Sequence, residues 1–403
     1  MTPQQREAQR TLRVAYEARL PPNARRFPWP DRVGLITAQE GLDKVLFDQA
    51  RIFRANDEYE RAFLKHLVTR TEHAISDATP DEERAIPIPR QDWAVNEGIL
   101  ERYVELVSLP TAEDAPGGLV GAPVPQPMYL GHFFPCDDGE DDPVLGPSAS
   151  ITLHEEGVAI SQGTTGLKTW EASYRLAAYL VAEQTSWRSQ AQSVVELGSG
   201  AGFLGMVCAR LLRGTSSRIL LTDIAGNVLE RLQETAHLST YLETDQDNVQ
   251  GGVFTAPLDW AEAYYRRTKE LSLLRNANAT RVLAADVVYD PELIVPFVDA
   301  LRTALTGSDD DSRYPTDPEW DENIPYALVA STVRNPATYE AFLDRLTAEK
   351  LRWKKVEIPT PVWPGSDETT APLPLFPSTH DPELEGSVAL LHVQLQPRSP
   401  VEF

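Results

Sequence analysis

The stretch 193–213, SVVELGSGAGFLGMVCARLLR, decides how this chain folds. Ser193 to Leu197 is a short apolar run closed by a carboxylate and a leucine, the composition of a strand buried in a parallel sheet. Gly198, Gly200 and Gly202 then alternate with small residues. From Phe203 onward the apolar residues Leu204, Val207, Cys208, Leu211 and Leu212 return at helical spacing. Strand, glycine loop and helix make the first half of a βα unit that holds a nucleotide-like ligand at the strand's carboxyl end. Glycine suits the loop because the turn needs unusual φ values and because any Cβ would hold a ligand off the backbone. The spacing is E-x-G-x-G-x-G, whereas the dinucleotide fingerprint G-x-G-x-x-G would place a small residue at Phe203. Glu196 offers a carboxylate to the ammonium of an amino-acid head group. That favours S-adenosylmethionine (SAM), with a dinucleotide and a purely structural turn left open.

Downstream, the pattern repeats. Strand 218–222 ends at Asp223 and leads to a helix over 226–239. A strand around 252–258 leads to Asp259, Trp260 and a helix over 261–275. Strand 281–285 ends at Asp286, before a helix over 291–305, and strand 326–331 precedes a helix over 337–349. Strands 354–358 and 388–394 have no helix between them. Alternating strands and helices predict a parallel sheet with right-handed crossovers, and the helix-free pair predicts an antiparallel hairpin at one edge. An acidic insertion, 308–323, and a Pro-rich insertion, 359–386, interrupt the pattern.

Upstream, GTTGLKTW leads into a helix over 171–183. SITLHEEGVAIS reads as a hairpin turning around Glu155–Gly157, with His154 a solvent-exposed or satisfied histidine. Residues 111–148 are rich in Pro, Gly and Asp and read as a linker. Residues 1–110 read as a helical accessory region, with helices over 4–20, 37–53, 58–75 and 91–107. The second of these starts on a capping box of Thr37 with Glu40. This region serves either packing or substrate recognition.

Several side chains carry chemistry. Asp223 stands 25 residues beyond Gly198 at a strand end, where a carboxylate accepts both hydroxyls of a ribose; a helix cap is the alternative. Trp170 and Trp260 are large rings placed to stack on adenine or face a sulfonium, or to serve as ordinary core. Asp259 can accept from the exocyclic amine of adenine. Asp286 and Tyr289, in D-V-V-Y, emerge at the sheet's carboxyl edge, where a methyl acceptor would lie. Transfer from a sulfonium is an in-line displacement, so positioning supplies much of the rate. A lysine acceptor must also lose a proton, from an ordinary pKa of about 10.4. Asp286 can orient that amine or act as its base, and Tyr289 can line its channel.

Composition sets the bounds. A net charge of −23 argues against general affinity for nucleic-acid phosphate. Two cysteines, Cys136 and Cys208, point to a reducing compartment and leave no Cys-based metal site. The polar N-terminus and the lack of a long apolar run lead to the expectation of a cytoplasmic monomer without membrane, metal or nucleic-acid partners.

ELGSGAG, LLTD, LDW and AADVVYD together resemble the seven-β-strand methyltransferases of the protein-lysine type. GTTGLKTWEAS and TVRNPATYEAF narrow the resemblance to the eukaryotic elongation factor 2 lysine methyltransferases, in a fungal-like form. The resemblance covers roughly residues 150–395. It implies a Rossmann-like, seven-stranded class I SAM-dependent methyltransferase sheet over 149–403, and SAM as cofactor. It also implies cofactor contacts at Trp170, Gly198, Ser199, Gly200, Asp223, Trp260 and the backbone of Ala285. Asp286 and Tyr289 fall on the acceptor side, with Arg334, Asn335 and Pro336 shaping it. The expected function is methylation of a lysine of elongation factor 2. The alternatives are another protein substrate, or a SAM-binding interaction protein without turnover.

Overall fold

Seven strands form the sheet that Ser193–Leu197 begins. The computed structural model describes residues 1–47, 54–109, 127–157, 165–190, 192–241, 252–266, 270–308, 310–316, 319–359, 361, 363 and 373–398. In chain order the strands are β1 (Met128–Asp142), β2 (Gly146–Glu155), β3 (Ser193–Leu197), β4 (Arg218–Asp223), β5 (Gly252–Pro257), β6 (Arg281–Ala285), β7 (Tyr326–Thr332), β8 (Leu351–Val356) and β9 (Val388–Leu395). The sheet runs β5-β4-β3-β6-β7-β9-β8, and β1 pairs with β2 separately. β3 is parallel to β4 and β6, and β9 is antiparallel to β7 and β8. This is the Rossmann-like sheet with an antiparallel closing pair that the resemblance implies.

The order explains where a ligand can lie. From β3 the chain moves outward through β4 to β5, then returns to lay β6 on β3's other side. The crossovers therefore diverge at β3, and a crevice opens at its carboxyl end. All seven residues of β7 and four of five in β3 are buried, as strands covered on both faces must be. Phe297 on the helix Pro291–Thr306 links Trp260, with ring centroids 5.2 Å apart, to Phe342, at 5.9 Å. The loop side of the sheet is thereby tied to its core.

The chain divides into two units. One comprises Met1–Thr152, Glu156–Val158 and Pro361–Thr379; the other comprises Leu153–Glu155, Ala159–Thr360 and His380–Phe403. In the first, the helices Pro3–Glu17, Arg32–Thr37, Leu42–Leu46, Asp57–Ser76 and Glu97–Ser108 bury a core around Tyr16, Phe63, Leu64 and Leu67. The segment from between β8 and β9 joins them. Trp363 is fully buried with the Arg10 guanidinium 5.5 Å from its ring, and Phe376 packs on Phe134 at 5.8 Å.

Three expectations need correction. The linker over 111–148 holds all of β1 and the start of β2, while 110–126 lie outside the described residues. β1 and β2 form a hairpin about Asp142, whose Oδ1 accepts from the Val144 and Leu145 amides at 2.8 and 2.9 Å; the other expected hairpin, around Glu155–Gly157, needs a return arm. The expected return arm over 158–161 lies outside the described residues. Thr37 ends a helix instead of starting one; Asp31 is the cap, accepting from the Gly34 amide at 2.7 Å. The helix over 261–275 is two, Trp260–Arg266 and Glu270–Ala277. No helix among the described residues is long and apolar enough to cross a membrane.

Candidate functional site

The site forms at the carboxyl ends of β3, β4 and β6. Gly198, Gly200 and Gly202 have φ of +75°, +54° and +95°, values that side chains resist. Space forbids a side chain as well. A Cβ on Gly198 would lie 2.8 Å from Val287 and 3.1 Å from the Trp260 ring, and one on Gly200 would lie 3.0 Å from the Gly166 carbonyl. The loop hangs from β4, since the Gly198 and Ser199 amides both donate to the Thr222 carbonyl at 3.0 Å. Asp223 completes the attachment. Its Oδ2 accepts from the Gly200 amide and its Oδ1 from the Ile224 amide, both at 2.8 Å. Burial raises the Asp223 pKa, and the Gly200 and Ile224 amides pull it back.

Glu196 is buried beneath the loop. A Cβ on Gly205 would lie 2.6 Å from its Oε2, so the carboxyl faces the helix Phe203–Leu211. Burial pushes its pKa up to about 8; nearby Ser199 opposes this, Asp223 adds to it, and the Gly205 amide opposes it. Oε2 has no hydrogen-bond partner, and neither have the Ser199 hydroxyl and the Trp260 indole Nε1. Asp259 is exposed and caps the helix Trp260–Arg266, accepting from the Glu262 amide at 3.0 Å.

The acceptor side is built on Asp286, which follows β6 with φ of +55°, a strained value for a residue with a side chain. Its amide donates to the Ala330 carbonyl at 2.9 Å, and four donors converge on its carboxylate. The Thr332 amide reaches Oδ1 at 2.8 Å and the Thr332 hydroxyl reaches Oδ2 at 2.9 Å. The Arg334 guanidinium and the Ala172 amide stand at 3.4 Å. The neighbouring Ala285 pairs with Ala330 across β6 and β7. Arg334 also lies over the Trp170 ring, 5.1 Å from its centroid, while the Trp170 indole donates to the Thr165 carbonyl at 3.0 Å. Tyr289 is 56% exposed, and its pKa is raised by partial burial, with a hydrogen bond to Thr165 opposing.

Every residue expected in the site lies within the sheet-bearing unit, on or after β3 to β7 or, for Trp170, just before the helix Glu171–Ala182. Four contributors escaped the sequence. Thr165 and Gly166 pass over the glycine loop, Gly205 leaves room for the Glu196 carboxyl, and Thr332 grips Asp286. Asn335 turns out to be a helix cap, accepting from the Ala337 amide at 3.0 Å. His154 is paired, with Nδ1 3.0 Å from Glu234.

Residues 147–310 match a family described as lysine methyltransferase. Similar proteins include the human protein-lysine N-methyltransferase EEF2KMT, 32% identical over 216 residues, covering 52% of this chain and 58% of that protein. The chain thus spans about three-fifths of the length of the human relatives it matches. The Bos taurus EEF2KMT is 29% identical over 67% of this chain and 71% of its own. The Chaetomium thermophilum protein-lysine N-methyltransferase EFM3 is 27% identical over 78% and 81%. Among solved structures, Aeropyrum pernix fibrillarin with bound S-adenosyl-L-methionine aligns over 61% of this chain and 89% of its own, at 13% identity and a TM-score of 0.33. A score that low adds nothing to the strand order. Within the matched residues lie the glycine loop on Asp223 and the gripped Asp286.

Proposed function

We propose that the protein transfers a methyl group from SAM to a lysine of a protein substrate, and that the substrate is elongation factor 2. The observation that carries the reading is the pairing of two features at one sheet edge. Val287 rests against Gly198, so the carboxylate of Asp286 stands beside the loop that would cradle a cofactor. The loop fits SAM in three ways: Gly198, Gly200 and Gly202 carry no Cβ atoms, an unpartnered carboxyl oxygen of Glu196 lies beneath them, and Gly198 abuts the edge of Trp260. The elongation factor 2 assignment draws on the motif resemblance and on relatives named protein-lysine N-methyltransferases.

Bound there, SAM would supply a methyl group on a sulfonium, a carbon electrophile whose leaving group is a neutral thioether. Trp170, the backbone of Gly198, Ser199, Gly200 and Ala285, and the Trp260 ring would line the cofactor. Asp223 keeps acceptor capacity beyond its two amides for ribose hydroxyls, Asp259 would accept from the adenine amine, and Glu196, once deprotonated, would balance the ammonium. Asp286 would orient the substrate amine and Tyr289 would border its channel. The two short bonds from Thr332 aim the Asp286 carboxylate, and the longer 3.4 Å approaches of Arg334 and Ala172 leave it room to accept from an amine, which suits orientation better than proton abstraction. The lysine proton leaves to water before attack. Holding amine and methyl carbon in line supplies the rate.

A lysate from cells lacking this enzyme, incubated with the protein and radiolabelled SAM, tests the proposal. One labelled band at the size of elongation factor 2 is expected. Label on another protein alone would refute the substrate, and label confined to nucleic acid or small molecules would refute the reaction class. Asp286→Ala should cut transfer at least about a hundredfold while SAM affinity by calorimetry stays within about twofold. SAM binding without turnover in the unsubstituted protein would favour a pure binding role.

A further inference from the structure

Asp286 poses a difficulty for this chemistry. A carboxylate beside a lysine stabilises the ammonium, which has no lone pair with which to attack a methyl carbon. Three of the four donors on Asp286, the Thr332 amide, the Thr332 hydroxyl and the Ala172 amide, are neutral. They aim the carboxylate without cancelling its charge. The fourth is a cation. Arg334 Nη1 lies 3.4 Å from Oδ1, and its side chain is 39% exposed against 5% for Asp286. It therefore approaches from the solvent side, the side from which a substrate lysine must come.

We propose that Arg334 is a positioning residue that counters the charge of Asp286, so that the acceptor lysine is held as a neutral amine and not as an ion pair. This rests on the lysine methyltransferase reading. In the transfer the amine lone pair forms the N–C bond while the C–S bond breaks and its electrons pass to sulfur. The proton lost beforehand goes to water. Arg334 leaves Asp286 its acceptor role and removes its pull on that proton.

Neighbouring contacts fix where the guanidinium stands. The Arg334 amide donates to the Thr332 carbonyl at 2.9 Å, and the Val333 amide donates to the Ser387 carbonyl at 2.9 Å. Asn335 caps the helix Pro336–Ala348 immediately after, and the Trp170 ring lies beneath the guanidinium. Other charged and titratable groups surround the site. On the preceding loop and helix, Lys168 acts on Glu155, and Arg175 is paired with the buried Glu171 at 2.7 Å. Tyr289 and Asp290 follow β6, Asp223 ends β4 and Glu196 lies in β3. On the segment against Val333, Asp381 begins a short helix and His380 pairs with Glu385 at 3.4 Å. Among the described residues, Arg334 is the cation bonded to Asp286.

The test is kcat, at saturating SAM and substrate, against pH for the full-length protein and for Arg334→Gln and Arg334→Lys, with elongation factor 2 purified from cells lacking the enzyme. Arg334→Gln should move the rising limb up by ~1 pH unit, a loss of about tenfold near pH 7 that closes towards pH 9.5. Arg334→Lys should follow the unsubstituted profile. SAM affinity by calorimetry and the melting temperature of Arg334→Gln should match those of the unsubstituted protein. Parallel profiles would overturn the inference, as would Arg334→Lys failing like Arg334→Gln, or a fall in SAM affinity or melting temperature that accounts for the loss. Should the unsubstituted protein label nothing, the methyltransferase reading fails and this inference with it. Should it label its substrate and the profiles coincide, this inference alone fails.

Discussion

At the scale of single residues, Glu196 combines two requirements. Its position at the end of an apolar strand was legible, because a short apolar run followed by glycines reveals a buried strand and its end. Its setting was not, because Leu221 and Gly205, which crowd it, come from a neighbouring strand and from the following helix. Gly205 has helical spacing and no positive φ, so nothing local marks it; a Cβ there would lie 2.4 Å from Leu221. Burial raises the Glu196 pKa to about 8 in the folded protein. The unfolded chain gives up this proton from about pH 4.3 upward, while the folded chain keeps it until about 8. The folded state thus binds more protons across that window, and its stability falls as pH rises through it. Glu196→Gln should flatten this slope. Melting curves of the cofactor-free protein at pH 5 and pH 8 should differ by several degrees less in the variant, whatever its absolute stability. An unchanged slope would place the titrating group elsewhere.

At the scale of elements, the register between β6 and β7 builds the acceptor side. Ala285 pairs with Ala330, which brings Thr332, two residues on, beside Asp286. Asp286 itself was readable from the D-V-V-Y that closes an apolar strand. Thr332 was not, since 46 residues separate the two and only strand pairing joins them. Thr332→Val keeps the backbone donor and loses the hydroxyl on Oδ2. It should lower kcat by about tenfold with KM for SAM little changed, and cost about 1 kcal/mol of stability in urea titration. Thr332→Ser should restore both; equal defects in the two would assign the effect to packing. The β1–β2 hairpin went unread for a compositional reason. Asp137, Asp138, Gly139, Glu140, Asp141 and Asp142 make up the end of β1. Acidic and glycine-rich runs are depleted in strands, so the segment looks like loop.

At the scale of the whole molecule, the alternation of strands and helices made the sheet and its antiparallel closing pair legible. The extent of the other unit was hidden, because Pro361–Thr379 lies between two strands in sequence yet packs with the first unit. Trp363 is fully buried there. Trp363→Ala should cost about 3–5 kcal/mol, seen by calorimetry as a lower melting transition for the helical unit. A change below about 1 kcal/mol would mean that the insertion is not needed for that core. The strand order carries one more consequence, for synthesis. β9 lies between β7 and β8 but is made after both. Until residues 388–395 emerge from the ribosome, β8 has no partner and β7, buried along its whole length in the finished fold, keeps an open edge. A nascent chain halted before β9 can thus carry every residue of the glycine loop and of the Asp286 grip without a closed sheet to hold them, and its open edge is where chaperones or other stalled chains would attach.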